Sequence, residues 1–372
     1  MVVGAGFAAL TAIRVLRKQG AAHRITMVAP RQDFVYLPSL IWVPTGLREG
    51  RDLVVPLWNF LQRHNVQLKL ASVVGLDAAA RTLKTDQGDV AYDALLIASG
   101  GRFLKGLPGA DKVMTVCEGV GAAQRIRERL ERLDGGSIAF GFGANPKEPA
   151  AMRGGPMFEL SFGIDTWLRR RGVRDRFKLH FVSAAAEPGK RLGPKAVVGL
   201  VGEMKRRGIE LHLGHPITAF TDDGVETANG RVEADLTLFM PGMTGPAWAE
   251  ASGLPLSPGG FFQADAHCRV QGAEAVFVAG DSGSFPGPDW APKQAHMADL
   301  QAKAAAVNIL DMLDGKTPQA TFRNELVCIV DTLDGGILVY RDSKRAWVIP
   351  RLRILHWLKR LFEWWYLRPY RA

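Results

Sequence analysis

The sequence is poor in cysteine and contains no long apolar run. Its 372 residues include only three cysteines, which are too few and too scattered for a disulfide scaffold or a cysteine-bound zinc. No apolar run reaches the ~18 residues that would cross a bilayer. No secretory signal is visible, since the first strand begins at Met1. We therefore expect no metal site and no spanning helix, in a protein that is cytoplasmic or attached to the inner face of a membrane.

Net positive charge is small outside one end of the chain. The net charge is +10, and residues 341–372 alone carry nine Lys or Arg against two Asp or Glu. The rest of the chain is close to neutral, whereas a nucleic-acid-binding domain presents basic side chains across a folded face. We therefore expect no nucleic-acid partner and a basic C-terminal tail.

A glycine-rich turn opens the chain. The sequence VVGAGFAAL at 2–10 places Gly4 and Gly6 between a short strand and a helix predicted over 7–19, with a second strand over 24–29. Glycines at these positions let the backbone approach a pyrophosphate, which the N–H groups at the helix start can bind. The second strand ends without the acidic residue that would hold an NAD ribose. The pattern predicts a dinucleotide site in which an NAD-type ribose clamp is weakened, while backbone contacts could still hold the adenosine of FAD.

A strand and a helix late in the sequence predict the other side of the same site. FVAGD at 277–281 puts Asp281 just after a buried strand, where open α/β sheets bind their ligands. Asp281 by itself is better explained as a turn or capping residue. However, Lys293 and the N-terminus of a helix predicted over 295–313 follow it, and both can stabilise negative charge on a reduced flavin.

The middle of the chain repeats the strand–helix pattern without a complete nucleotide motif. GFGANPKEPAA at 141–151 keeps Gly141 and Gly143 but has Pro146 where a third small residue belongs. The insertion at 144–153 would occupy the pyrophosphate position, and the following strand ends without an acid. The pattern therefore argues against a nicotinamide nucleotide as electron donor.

These patterns predict an α/β protein with two Rossmann-like dinucleotide-binding domains. The chain is longer than a typical domain with one hydrophobic core. The order of the predicted strands at 92–98, 234–240 and 275–280 indicates that the chain leaves the first domain and later returns to it. The predicted boundaries are 1–104 with 241–318 for a discontinuous FAD-binding domain, 105–240 for the second domain, and 319–372 for a C-terminal region.

The C-terminal region contains the clearest amphipathic pattern of the chain, at 351–367. One predicted face is apolar and the other polar: Leu355, Leu358, Leu361, Phe362 and Trp365 against Arg353, His356, Arg360 and Glu363. Interfacial aromatics with basic residues are typical of a helix lying in a membrane surface. Packing of this helix on the body of the protein or on a partner subunit, as in a homo-oligomer, is the alternative.

Seven blocks of the sequence share their order and spacing with one family. They are VVGAGFAAL, DFVYLPSLIWVPTG (33–46), YDALLIASGG (92–101), GGPMFEL (154–160), MPGMTGP (240–246), FVAGD and PKQAHMAD (292–299). The chain thereby resembles the sulfide:quinone oxidoreductase branch of the two-dinucleotide-binding-domain flavoproteins, to which flavocytochrome c sulfide dehydrogenase and type II NADH dehydrogenase are related. The resemblance implies FAD as cofactor, with contacts at Gly4, Gly6, Phe7, Ala8, Pro38, Ser39, Gly100, Gly280, Asp281 and Lys293.

The resemblance also implies sulfur chemistry at cysteines, and here the chain departs from the family. Cys328 matches the C-terminal cysteine of the family, Cys117 resembles an early one, and Glu159 matches an acid near the site. The middle cysteine is missing, because Met152 and Arg153 stand at its place. Burial as structural residues is the alternative for both cysteines, as is a surface position for Glu159.

The prediction that follows is a peripheral membrane flavoenzyme on the cytoplasmic side of the inner membrane. A small sulfur donor such as sulfide reduces the flavin near Cys328, and a membrane quinone entering beside Val327 and Ile337 reoxidises it. The alternatives are a type II NADH:quinone oxidoreductase and a non-catalytic flavoprotein or membrane adaptor of the same fold. Cys268, placed on a predicted strand, is expected to be only a small buried hydrophobe.

Overall fold

Seven α-helices form in the described part of the chain. The structure, a computed structural model, describes residues 1–19 and 22–371. Its seven α-helices within these ranges are α1 (Phe7–Lys18), α2 (Trp58–Arg63), α3 (Val120–Glu131), α4 (Gly155–Arg170), α5 (Pro194–Arg206), α6 (Ala295–Leu313) and α7 (Arg353–Arg371). Pro156 lies in the first turn of α4, where proline fits a helix start.

A parallel sheet joins the first and last thirds of the chain. Its strands lie in the order Val276–Val278, Leu95–Ile97, Val2–Val3, Ile25–Ala29, Val66–Leu70. α1 and α6 pack together on this sheet through buried alanines, such as Ala9 and Ala305, which allow a close approach. Since the carboxyl ends of parallel strands meet at one edge, the turn after Val3 and the turn after Val278 adjoin.

A second parallel sheet is built from the middle of the chain. Its order is Ile209–Leu213, Phe177–Ser183, Gly136–Phe142, Leu236–Met240. The α/β class and the dinucleotide-binding architecture predicted from the sequence are confirmed. The domain boundaries stay a prediction. The insertion at 144–153 folds as a hairpin of Ala144–Asn145 with Glu148–Met152.

Several antiparallel units and one short parallel pair, Phe262–Gln263 with Gly283–Ser284, complete the described strands. Three of them are three-stranded: Val73–Asp77, Thr82–Thr85 and Val90–Ala91; Ile217–Thr221, Gly224–Thr227 and Gly230–Glu233; Leu326–Asp331, Gly336–Arg341 and Ala346–Leu352. Shorter pairs join Asp33–Val35 to Val54–Pro56 and Arg102–Phe103 to Met243–Thr244. The strand predicted around Cys268 is wrong, because this residue lies in a bend with a φ of 64°. Its predicted burial is correct.

The C-terminal helix α7 exists, but the predicted division of its faces is wrong in part. Leu355, His356 and Glu363 are buried against the body of the protein. His356 and Glu363 can be buried because each has a polar partner: Asp331 contacts His356, and Arg48 contacts Glu363. The exposed face is instead an apolar stripe at helical spacing, formed by Ile354, Trp357, Leu358, Leu361, Phe362, Trp364 and Trp365. Among the described residues, no helix combines the length and the apolar character needed to cross a bilayer.

Candidate active site

A cavity of about 1180 Å³ lies where the first sheet, α4, the strand Leu326–Asp331 and α7 meet. It is lined by every residue that the sequence predicts to contact the cofactor: Gly4, Gly6, Phe7, Ala8, Pro38, Ser39, Gly100, Gly280, Asp281 and Lys293. The predicted catalytic residues Cys117, Glu159 and Cys328 line the same cavity. The fold therefore brings the two groups of residues together, while the role of each stays a prediction.

The glycine turn at the start of α1 suits a pyrophosphate. Gly4 has a φ of 112°, and a Cβ there would collide with the carbonyl oxygen of Ala98. At Gly6 an added Cβ would meet nothing within 4 Å, so this backbone faces open space. Neither an acidic residue in the first turn nor a capping side chain is found at the start of α1, which is described in full. Its first N–H groups are thus free to bind an anion.

Two buried donors on the cavity wall have no partner within the described residues. They are Nε2 of Gln294, which precedes α6, and Nε of Arg191. Buried donors in native proteins are nearly always satisfied, so these two fit a ligand that presents acceptor oxygens or ring nitrogens. Together with the glycine turn, they match the donor requirements of a flavin dinucleotide.

Positive charge surrounds the residue predicted to bind the ribityl or ribose group. Arg153, which stands where the middle cysteine was expected, forms an ion pair with Asp281. Lys293 donates from Nζ to the carbonyl oxygen of Gly283 at 2.7 Å, and its Nζ lies 3.8 Å from the ring centre of Phe261. Burial lowers the pKa of Lys293 to about 8. The cavity wall is therefore suited to anionic groups.

Both cavity cysteines are thiols with raised pKa values. Cys117 lies on the 3-10 turn Val116–Glu118, and Cys328 lies on the strand Leu326–Asp331. Burial raises the pKa of Cys117 to about 11 and that of Cys328 to about 12, to which Glu159 adds a smaller increase. Both thiols are protonated at neutral pH, so a nucleophilic role for either needs a proton acceptor nearby.

Glu159 is such an acceptor, and its alternative as a surface carboxylate is wrong. The residue is only 6% exposed, and its Oε1 accepts the N–H of Asp331 at 2.8 Å and a proton of Lys359. Burial raises the pKa of Glu159, and Lys359 offsets only part of this rise. Burial alone would lower the pKa of Lys359, but Glu159, Asp331 and Cys328 outweigh it and keep the amine charged.

Sequence reasoning missed the buried polar network behind Glu159. Asp331 accepts the indole N–H of Trp42 at 3.1 Å and lies 2.7 Å from Nδ1 of His356. Lys359 and His356 both come from α7, which the amphipathic pattern assigned to the membrane surface with His356 on the solvent side. The only available signal was the position of Asp331 three residues after Cys328, and the partners Trp42 and His356 lie on other elements.

One predicted quinone-lining residue is wrong. Val327 lines the cavity and is 42% exposed, and its contact with a quinone stays a prediction. Ile337 is instead buried in the core, and its neighbour Leu338 lines the cavity. Successive side chains of a strand point to opposite faces of the sheet. An error of one residue therefore selects the core residue Ile337 in place of the cavity residue Leu338.

Comparison with known proteins identifies the family. The profile described as "Pyridine nucleotide-disulphide oxidoreductase" matches residues 1–302. The chain belongs to this family. The sulfide-quinone reductase of Aquifex aeolicus is 25% identical over 99% of this chain and 90% of the relative. A type II NADH:quinone oxidoreductase of Staphylococcus saprophyticus is also 25% identical, over 92% and 90%.

The solved structures support the same architecture. The sulfide:quinone oxidoreductase of Aquifex aeolicus superposes with a TM-score of 0.91 at 23% identity, covering 100% of this chain and 90% of that one. The resemblance inferred from the seven sequence blocks is confirmed. The protein is an oxidoreductase of the flavoprotein type, and its predicted cofactor, FAD, is confirmed as that of the family.

Gly6→Val is expected to reduce bound FAD at least about tenfold, because the new side chain enters the open space beside the first turn of α1. The backbone at Gly6 has a φ of −97°, which valine adopts without strain. FAD content per purified chain measures the effect, and far-UV circular dichroism monitors the fold. Gly199→Ala, which adds a methyl group to open space on α5, is the matched control. Full FAD content in Gly6→Val would contradict this placement of the pyrophosphate.

Proposed function

We propose that the protein oxidises sulfide or a related sulfur donor and reduces a membrane quinone. The observation that carries this proposal is the placement of Cys328, Glu159 and Lys359 on one wall of the cofactor cavity. FAD, when bound, supplies a two-electron acceptor that can be reoxidised. The relatives with the corresponding names, a sulfide-quinone reductase and a type II NADH:quinone oxidoreductase, make a quinone the acceptor of choice.

The donor side is built around proton transfer. Glu159 has a raised pKa and can take the proton of a thiol or of hydrosulfide. The charged amine of Lys359 then balances the negative charge left on the sulfur. Arg153 and Lys293 give this cavity a positive wall that attracts a small sulfur anion. Arg153 replaces the middle cysteine of the family, so we propose that sulfur exchange depends on Cys328, with Cys117 in a supporting role.

The acceptor side opens onto the apolar stripe of α7. Leu358 and Phe362 belong to the stripe and also line the cavity, as does the half-exposed Val327. A lipid-dissolved quinone could therefore pass from a bilayer to the cavity along apolar side chains. On this proposal the protein is a peripheral membrane protein with α7 against the cytoplasmic face of the inner membrane.

The hairpin of the second sheet weighs against NADH as donor. It follows the strand Gly136–Phe142, at the position where the pyrophosphate of a nicotinamide nucleotide would bind. Asn145 holds the hairpin in place, because its side-chain amide donates to the carbonyl oxygens of Met243 and Gly259 at 2.9 and 3.0 Å. Displacing this hairpin would break both hydrogen bonds of the buried Asn145, so NADH binding in the usual manner is disfavoured.

Anaerobic spectroscopy of the FAD-loaded protein tests the proposed donor. We expect sulfide to bleach the flavin absorbance rapidly and NADH to bleach it slowly or not at all. Addition of a soluble quinone should restore the absorbance of the sulfide-treated protein. Rapid bleaching by NADH would favour the type II NADH dehydrogenase alternative. A lack of reaction with either donor would favour a non-catalytic flavoprotein.

Lys359→Met is expected to shift the pH dependence of sulfide oxidation upward. Lys359 lowers the pKa of Glu159, and its loss therefore raises that pKa further. Because Glu159 must be ionised to accept a proton, the rising limb of kcat/KM against pH moves to higher pH, and kcat/KM at neutral pH falls at least about tenfold. Lys344→Met, which removes an exposed lysine from a turn, is the control. An unchanged profile would exclude Glu159 as the base.

A further inference from the structure

Three ligating side chains meet on the second sheet, none of them lining the cofactor cavity. His180 lies on the strand Phe177–Ser183, while Glu210 and His212 lie on the neighbouring edge strand. The parallel register pairs His180 with Glu210 and Val182 with His212. Because side chains alternate along a strand, this register places all three on one face of the sheet.

The distances within this cluster are those of a metal-ligand set. Nδ1 of His180 lies 3.2 Å from Nε2 of His212 and 3.3 Å from Oε2 of Glu210. All three ligand atoms lie within 4.8 Å of one another. Zinc–nitrogen and zinc–oxygen bonds of about 2.0–2.2 Å in a tetrahedral site separate neighbouring ligand atoms by about 3.3–3.5 Å. The Glu210 side chain is 60% exposed, so its carboxylate has room to adjust to an ion.

Hydrogen bonding alone explains the cluster less well. Nδ1 of His180 faces two partners at once, and one imidazole nitrogen carries at most one proton. A cation at the centre of the cluster would satisfy all three atoms.

We propose that His180, Glu210 and His212 bind one divalent transition-metal ion of the zinc class, with water completing the coordination. Two imidazoles and a carboxylate are a common donor set for such ions. The site lies on the second sheet and is independent of sulfide, quinone and FAD. A bound ion would link the edge strand Ile209–Leu213 to the adjacent strand Phe177–Ser183. No local motif marks these residues as ligands, because His180 and Glu210 lie 30 residues apart and meet only through strand pairing.

Zinc titration of the FAD-loaded protein tests this proposal. The full chain, without a histidine tag and after removal of metals by a chelator, is titrated with zinc by calorimetry and by competition with a chromophoric chelator. We expect one ion per chain and a higher Tm with zinc than without it. His212→Ala and Glu210→Gln, both at accessible positions, should weaken binding about 10- to 100-fold. His215→Ala, which removes a nearby histidine outside the cluster, should leave it unchanged.

The outcomes separate the proposal from chance binding. Saturable binding of one ion that is lost in both cluster variants and kept in His215→Ala supports the site. Binding of equal strength in His212→Ala and in the unaltered protein would overturn it, as would the absence of saturable binding in the unaltered protein. Circular dichroism of each variant without metal verifies that the fold is retained.

Discussion

Cys328→Ser is expected to lower sulfide-dependent quinone reduction by a factor on the order of 10³ or more. Serine is nearly isosteric with cysteine, but it cannot form a sulfur–sulfur bond with the donor. Joining a thiol to hydrosulfide in this way releases two electrons, which FAD, when bound, would accept. The side chain lines the cofactor cavity together with Glu159, whose charge contributes to the raised pKa of the thiol. Steady-state turnover with sulfide and a soluble quinone measures the loss.

The control variant replaces Cys268, a cysteine that does not line the cavity. Cys268 is buried, and its Sγ lies 3.5 Å from the carbonyl oxygen of Gln301, a contact that a serine hydroxyl can reproduce. Cys268→Ser should retain turnover and FAD content. Reoxidation of chemically reduced protein by quinone should survive in Cys328→Ser, because only the sulfur step depends on the thiol. Unchanged sulfide turnover in Cys328→Ser would refute the cysteine mechanism.

The parts of the fold that local patterns encode could be predicted from the sequence. Continuous apolar runs such as residues 92–98 mark buried parallel strands, and the turn after Val3 needs glycine because its backbone approaches Ala98. These features depend on neighbours in sequence or on a motif of fixed spacing. The residues predicted to contact the cofactor line the cavity for the same reason, since they lie near the ends of strands or the starts of helices.

Contacts between distant elements could not be predicted in this way. Ile337 and Leu338 are both apolar, and only the register with the strand Leu326–Asp331 decides which of them faces the cavity. The ligand cluster on the second sheet depends in the same manner on the pairing of His180 with Glu210. Periodicity identifies the strand but leaves its face and register open.

Helix α7 shows how buried polar pairs override an amphipathic pattern. Periodicity placed His356 and Glu363 on the solvent side, yet Asp331 and Arg48 provide partners inside the protein. A buried polar group is acceptable when it is paired, so the helix turns these side chains inward. The large apolar residues consequently lie on its outer face, where a water-exposed stripe of this size is costly unless something covers it.

The double variant Trp357→Glu with Trp364→Glu is expected to weaken binding to anionic lipid vesicles at least about 100-fold. Both indoles belong to the apolar stripe, are 60% and 56% exposed, and do not line the cavity. Burying a large apolar side chain stabilises by about 1.5–3 kcal/mol, so losing two exceeds the ~2.8 kcal/mol that corresponds to 100-fold. The added carboxylates also repel the lipid charge. Vesicle co-sedimentation measures the effect.

These substitutions are a sharper test than removal of the tail. Truncation before Arg351 would also remove the buried Leu367 and Tyr370 and the cavity residue Lys359, so loss of binding could reflect loss of the fold. Turnover with a soluble quinone should persist in the double variant. Val74→Glu, at an exposed apolar position outside α7, should leave vesicle binding intact. If the double variant still binds vesicles fully, the stripe must be covered by a protein surface instead of lipid, and the path proposed for the quinone loses its entrance.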